Sequence, residues 1–257
     1  MNFQTTRVAL RTLVTKEVTR ILRIWVQTLI PPVITMSLYF LIFGRLVGAR
    51  IGEVQGFTYM EFIVPGLILM SVITNSYSNV VSSFFGARFG KSIEELLVAP
   101  VPNSVIIIGY AAGGMVRGLL VGFLVACVSV FFSGVNIYNP LILIGTVILT
   151  SAIFTQAGFL NALFARKFDD VSIVPTFILT PLTYLGGIFY SVQMLPEPFY
   201  SISLLNPILY MINACRYGFL GISDIPVYLS FAGGVVFLIV LFCTNLFIMK
   251  RGYGIRT

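Results

Sequence analysis

Six apolar runs, each long enough to cross a bilayer, take up most of this 257-residue chain, and its basic residues collect in every second gap between them. A hydrocarbon core about 30 Å thick needs roughly 20 apolar residues of helix. The runs predict spans near 24–43, 57–83, 105–132, 138–164, 171–190 and 227–249. With 58% hydrophobic and 10% charged residues, too little polar surface remains for a soluble fold. The expectation is an all-α polytopic membrane protein, with one transmembrane domain of six transmembrane helices over residues 1–257.

Basic residues orient such a chain. With the amino terminus in the cytoplasm, Arg7, Arg11, Lys16, Arg20, Arg23, Arg88, Lys91, Arg166, Lys167, Lys250, Arg251 and Arg256 lie inside. Arg45, Arg50 and Arg216 fall outside, and Arg117 lies within a span. The bias places both termini in the cytoplasm and makes anionic lipid, not nucleic acid, the counterpart of the net charge of +7. The basic start resembles a signal peptide, but no small-x-small cleavage site follows and Pro31 and Pro32 interrupt the apolar run. An uncleaved, kinked first span is therefore expected.

Over residues 1–23, apolar Leu10, Leu13, Val14, Val18, Ile21 and Leu22 alternate with basic side chains at a helical period. That pattern predicts an amphipathic interfacial helix on the inner leaflet; a merely orienting basic tail is the plainer alternative. The second span closes on an unusually polar stretch from Asn75 to Ser83, which should face protein or a watery path. Gly114, Gly118 and Gly122 bare one face of the third span for close packing, of helices or of a dimer. Arg117 shares that helix, at a depth where a charge costs about 3 kcal/mol. It calls for a partner, a cavity or snorkelling to the inner surface. Glu61, the acidic side chain inside the spans, sits near the outer end.

Residues 86–102, GARFGKSIEELLVAPVP, predict a short cytoplasmic helix with Ile93, Leu96 and Leu97 as an apolar edge, Glu94 and Glu95 as a polar one, and Pro100 and Pro102 as its stop. Residues 191–226 are external yet apolar, and broken by Pro196, Pro198 and Pro207, which suggests short re-entrant helices.

Several chemistries are disfavoured. GARFGKS has three residues between its glycines where a phosphate loop needs four, and no strand precedes it. Histidine is absent, Cys127, Cys215 and Cys243 lack metal or disulfide spacing, and Asp169–Asp170 reads as a solvated loop. An enzyme is not expected. An ion-coupled carrier would normally place a carboxylate at mid-membrane, and none is visible.

The stretch Leu179 to Arg216 is the most specific. It combines Leu179, Leu182, Leu185 and Gly186, then Leu195-Pro196, then Pro207-Ile208-x-Tyr210, and Arg216. This pattern resembles the signature of the ABC-2 type exporter permeases, and the likeness extends to IPPVITMSLYF, EELLVAPVP and RYGFLG. It is nearest to the YadH-like inner-membrane transport permeases, with nodulation-factor and capsule-polysaccharide exporters further off. The resemblance implies a homodimer of six-span subunits in a bacterial inner membrane, paired with two copies of a separate ATP-binding subunit. ATP and Mg would be bound there, with no cofactor in this chain.

It further implies outward movement of a lipid, glycan or drug-like substrate by alternating access, with residues 86–102 as the coupling helix that docks on the ATPase. Carried over, coupling falls on Lys91, Ile93, Glu94, Glu95, Leu96 and Leu97. The family places the second and fifth spans at the dimer interface, so Asn75, Tyr77, Asn79, Thr176, Thr180, Thr183 and Tyr184 become the candidates for the path. Pro196, Pro207, Tyr210 and Arg216 form the external signature, with Arg216 anchoring the chain through nearby carbonyls. The alternatives are an ion-coupled secondary transporter and a non-transporting scaffold.

Overall fold

The computed structural model describes residues 3–99, 101–134 and 137–252; Pro100 and Arg256 lie outside them. The chain is almost wholly helical. Helix α1 (Phe3–Arg23) turns at Ile24 into α2 (Trp25–Tyr39), which widens into a π-helical stretch (Phe40–Val47) and ends as α3 (Gly48–Ile51). Pro31 and Pro32 sit inside α2 without ending it. The helical run reaches eight residues past the expected end at Phe43, because the wider i→i+5 turns continue where sequence alone suggested a loop.

A two-residue hairpin follows, β1 (Glu53–Val54) paired antiparallel with β2 (Phe57–Thr58). Its turn residues Gln55 and Gly56 both take positive φ, 53° and 82°, as a tight primed turn requires. The next helix, α4 (Tyr59–Phe89), begins with a capping box. Glu61 Oε2 accepts from the Thr58 backbone N–H (2.9 Å) and hydroxyl (2.7 Å), and Thr58 Oγ1 accepts from the Glu61 N–H. Glu61 is thus committed to the helix terminus and is not the partner of Arg117. Thr58→Ala is expected to lower stability by about 1 kcal/mol, read from unfolding in detergent, whereas an unchanged midpoint would show the cap to be replaced by water.

Then come α5 (Ile93–Val98), α6 (Asn103–Phe132), α7 (Pro140–Phe164), α8 (Phe168–Val174), a π-helical stretch (Pro175–Leu179) and α9 (Thr180–Tyr184). After a 3₁₀ turn (Val192–Met194) follow α10 (Phe199–Ser203), α11 (Pro207–Leu220) and α12 (Val227–Lys250). Among the described residues, five helical runs are long and apolar enough to span: Trp25–Ile51, Tyr59–Phe89, Asn103–Phe132, Pro140–Phe164 and Val227–Lys250. The expected fifth span, 171–190, is helical from Phe168 to Tyr184 in three stretches, at the short end of the length that crosses a bilayer. Pro175 and Pro181 lack the N–H that an α-helix needs, and Gly187 at φ +79° turns the chain away. Asp170 is not a free loop residue. Its carboxylate accepts from the backbone N–H groups of Arg166 (2.8 Å) and Lys167 (3.0 Å), which hold it below the usual carboxylate range.

Helix α4 is the axle. It packs against α6, α7 and α11, and most of its length is buried, so its polar residues must be satisfied within the protein. Ser71 donates to Ile68 O (2.6 Å), Asn75 to Ser71 O (2.9 Å), and Ser76 shares a hydrogen bond with Ser151 of α7 (2.8 Å). The main core gathers Phe62, Leu67, Leu69 and Ile73 of α4 with Val121, Val125, Ile153 and Ile212.

Candidate functional site

Helix α5 sits beyond the end of α4. The chain reverses at Gly90 and Lys91, the latter at φ +59°. A six-residue helix has little stability of its own; this one is fastened by Ile93, 2% exposed in a cluster with Phe84, Phe85, Ile106 and Ile107, with half-buried Leu96 against it. Ile93 and Leu96 are three apart and share a face. Glu94, Glu95, Leu97 and Val98 point outward, Val98 with 87% of its surface exposed, and Lys91 is exposed too. The apolar edge expected of Ile93, Leu96 and Leu97 is therefore divided: Ile93 holds the helix to its own subunit, and the free surface is Leu97 and Val98 beside two carboxylates.

The candidates for a path also separate. Asn75, Tyr77, Asn79 and Thr183 are buried inside the subunit, where Thr183 donates to Leu179 O (2.5 Å) and Asn79 Oδ1 accepts from Arg20 (2.9 Å). Thr176, Thr180 and Tyr184 recur at four-residue spacing on one exposed face. Thr180 Oγ1 donates to Pro175 O (2.9 Å), the same carbonyl that accepts the Thr180 backbone N–H in the wider π turn. Tyr184 shares a 2.8 Å hydroxyl contact with Tyr39 of α2. Phe189 stacks on Tyr184 (5.9 Å between centroids) and tilts against Phe43 (4.8 Å), which in turn stacks on Tyr39 (5.6 Å). Tyr39, Phe43 and Phe189 carried no local signal in the sequence, since only the meeting of two distant segments makes them neighbours.

At the end of the bundle opposite α5, Arg216 of α11 is fully buried. Its Nη2 donates to Gly187 O at 2.6 Å, its guanidinium lies 4.0 Å from the centre of the Phe62 ring, and Nη1 stands 3.8 Å from Asp224 Oδ2. The last is an ion pair, too long for a hydrogen bond. Asp224 in turn accepts from Ser191 Oγ (2.8 Å), Gln55 Nε2 (2.9 Å) and the Val192 N–H (3.1 Å). One network therefore ties the β-hairpin turn, the chain after α9 and the loop after α11.

Pro207 occupies the first turn of α11, capped by Asn206, whose Oδ1 accepts from Ile208 N (3.0 Å) while its Nδ2 donates to Leu182 O (2.6 Å). Tyr210 donates to Leu204 O (2.9 Å), and Pro196 O accepts from Phe199 N (3.0 Å). Gly114, Gly118 and Gly122 meet α4 of the same chain: a Cβ on them would touch Val80, Ser76 and Val72. Among the described residues no group of three or more acidic, His or Cys side chains could hold a metal.

The sequence profile of the ABC-2 type transporter family matches residues 8–220. The inner membrane transport permease YadH of Escherichia coli (strain K12) is 56% identical over 250 residues, 97% of this chain and 98% of that protein. Nodulation protein J of Rhizobium leguminosarum bv. viciae is 24% identical over 215 residues, 83% of each chain, and that of Sinorhizobium fredii is 24% identical over 216 residues, 84% of this chain and 82% of that protein.

Proposed function

Because the chain belongs to the ABC-2 type transporter family, whose permeases are transport subunits and not enzymes, we propose that it forms the membrane path of an ATP-driven exporter in a bacterial inner membrane. Permeases of this family work with an ATP-binding subunit. In this reading two copies of the chain pair with two such subunits, which bind ATP and Mg, and both termini face the cytoplasm.

The observation that carries the reading is α5. A helix that presents Glu94, Glu95, Leu97 and Val98 to solvent while Ile93 roots it in the core is built to receive force from outside and pass it inward. Leu97 and Val98 insert into an apolar groove on the motor, and Glu94 and Glu95 with Lys91 set its register by charge. Closure of the motors on ATP shifts α5, and Ile93 and Leu96 transmit the shift to α4 and α6. The two subunits then alternate between inward and outward access.

The outward face of Thr176, Thr180 and Tyr184, with Tyr39 beside it, lines the path against the second copy. The fifth segment completes a sixth crossing, and α10 and α11 re-enter from the outer side, with Arg216 as their anchor. The substrate is a lipid, glycan or drug-like molecule.

Glu94→Lys with Glu95→Lys is expected to abolish co-purification with the ATP-binding subunit and its vanadate-sensitive turnover, while leaving the permease folded, because both side chains are exposed and neither has a side-chain partner among the described residues. An intact complex with normal turnover would remove α5 from the coupling surface.

A further inference from the structure

An imbalance of buried charge lies where α1 meets α6. Gly109 and Gly113 let α1 approach closely: a Cβ on Gly109 would stand 2.8 Å from Leu13 Cβ, and one on Gly113 2.6 Å from Glu17 Cβ. One face of α1 is buried as a result, with Leu13 at 3%, Glu17 at 1% and Ile21 at 1% exposure. A carboxylate has thereby been drawn into the bundle. It accepts from Ser83 Oγ (2.7 Å) and from Arg20 Nη2 (3.0 Å), and the same Nη2 reaches Asn79 Oδ1 (2.9 Å) and Asn79 O (3.4 Å).

Arg117, one turn beyond Gly113 on α6, enters the same neighbourhood, within electrostatic reach of Arg20. Tyr110, one turn before Gly113 and Gly114, is within reach of both Glu17 and Arg20. Residues 110, 113, 114 and 117 fall on one helix face. Glu17 balances Arg20, but among the described residues no carboxylate pairs with Arg117, whose charged neighbour is Arg20, so one positive charge is left over in a low-dielectric setting. Such a charge is costly without a counter-ion.

The unmet hydrogen-bonding groups agree in sign. Arg20 Nε, Arg117 Nε and Asn79 Nδ2 are buried without a partner among the described residues, and all three are donors. The Tyr110 hydroxyl is also unpartnered, on a side chain 1% exposed, and it too can donate. A water molecule could meet some of these donors but would leave the charge. A tetrahedral anion with several acceptor oxygens meets both needs, and guanidinium forks match phosphate oxygens.

We propose that Arg20, Asn79, Tyr110 and Arg117, with Glu17 as an internal spacer that orients Arg20, form a binding site for the phosphate group of an anionic ester, entered past the part-exposed Arg20 and Arg117. The phosphate comes from a lipid headgroup or from a free or substrate-borne phosphate; the chemistry is the same. The site consists of this chain alone and stands whether or not an ATP-driven partner exists.

The test uses the full chain in detergent, with phosphatidylglycerol binding counted by native mass spectrometry and inorganic pyrophosphate binding followed by calorimetry. One saturable site per chain is expected. Binding should weaken about tenfold or more in Arg117→Gln, as loss of a charged hydrogen-bond donor implies, and should be largely kept in Arg117→Lys. Glu17→Gln removes the competing negative charge, so the expected sign is opposite, tighter binding. Saturation by the lipid alone assigns the site to a headgroup, and saturation by pyrophosphate assigns it to a free phosphate group. Absence of saturable binding of either probe overturns the proposal. So does Arg117→Gln binding like wild type, or Glu17→Gln binding no tighter; the Glu17 variant keeps the test decisive if Arg117→Gln fails to fold.

Discussion

Asp224→Asn should lower the unfolding free energy by about 3–5 kcal/mol, because it strips the counter-charge from an arginine that has no route to water. Arg216 is fully buried, and its Nε and Nη1 have no hydrogen-bond partner. Apart from Asp224, among the described residues only the Gly187 carbonyl and the face of Phe62 compensate its charge. Asparagine would also weaken the bonds from Ser191, Gln55 and Val192, which now go to a charged acceptor. The double replacement Arg216→Met with Asp224→Asn should recover part of the loss, since a buried pair replaced by neutral groups of similar volume is often near neutral. Reversible unfolding in detergent or bicelles measures all three. If Asp224→Asn lies within about 0.5 kcal/mol of wild type, Arg216 is compensated by something other than Asp224.

The second large effect is at Gly158, where α7 crosses α4. A Cβ there would stand 2.6 Å from Tyr77 O and 3.3 Å from Tyr77 C and Cα, all backbone atoms of α4. No side chain can swing aside, so Gly158→Ala must push the two helices apart. The expected cost is about 3 kcal/mol, the upper part of the overpacking range. Gly114→Ala should be comparable, since Val80 Cγ2, Thr155 Cγ2 and Ser76 O close on it from three directions at 2.5, 2.6 and 2.9 Å. Gly122→Ala meets mainly the far end of Val72 and should cost less, and Gly233→Ala, with nothing within 4 Å, should be close to neutral. Midpoints of unfolding across the four variants test the order. Gly158→Ala as mild as Gly233→Ala would mean that α4 and α7 do not approach as closely as they do here.

Hydropathy alone located all five of the long apolar helices, though it ended the first well short of Ile51 and the second short of Phe89, because about 20 consecutive apolar residues are a property of composition that tertiary contacts need not support. The alternation of basic gaps and the pattern from Leu179 to Arg216 were equally local, and the threonines at 176 and 180 with Tyr184 could be counted off along one helix face. The three-dimensional packing decided what depends on pairs of distant residues. Pro175, Pro181 and Gly187 mark breaks in the fifth helix, but only the fold shows where it ends. Ile93 looked like part of a docking edge until its side chain met Phe84 and Phe85. Glu61 stood out as an acidic side chain within a span, and only the fold shows that Thr58 holds it at the helix start.

Glycines 109 and 113 gave no hint that they would admit Glu17 to the bundle. A helix period says which side chains share a face; it does not say what that face meets. Burial of a charge, the identity of its partner and the donors left without one are set by contacts between segments far apart in the chain, so they emerge only when the helices are packed together.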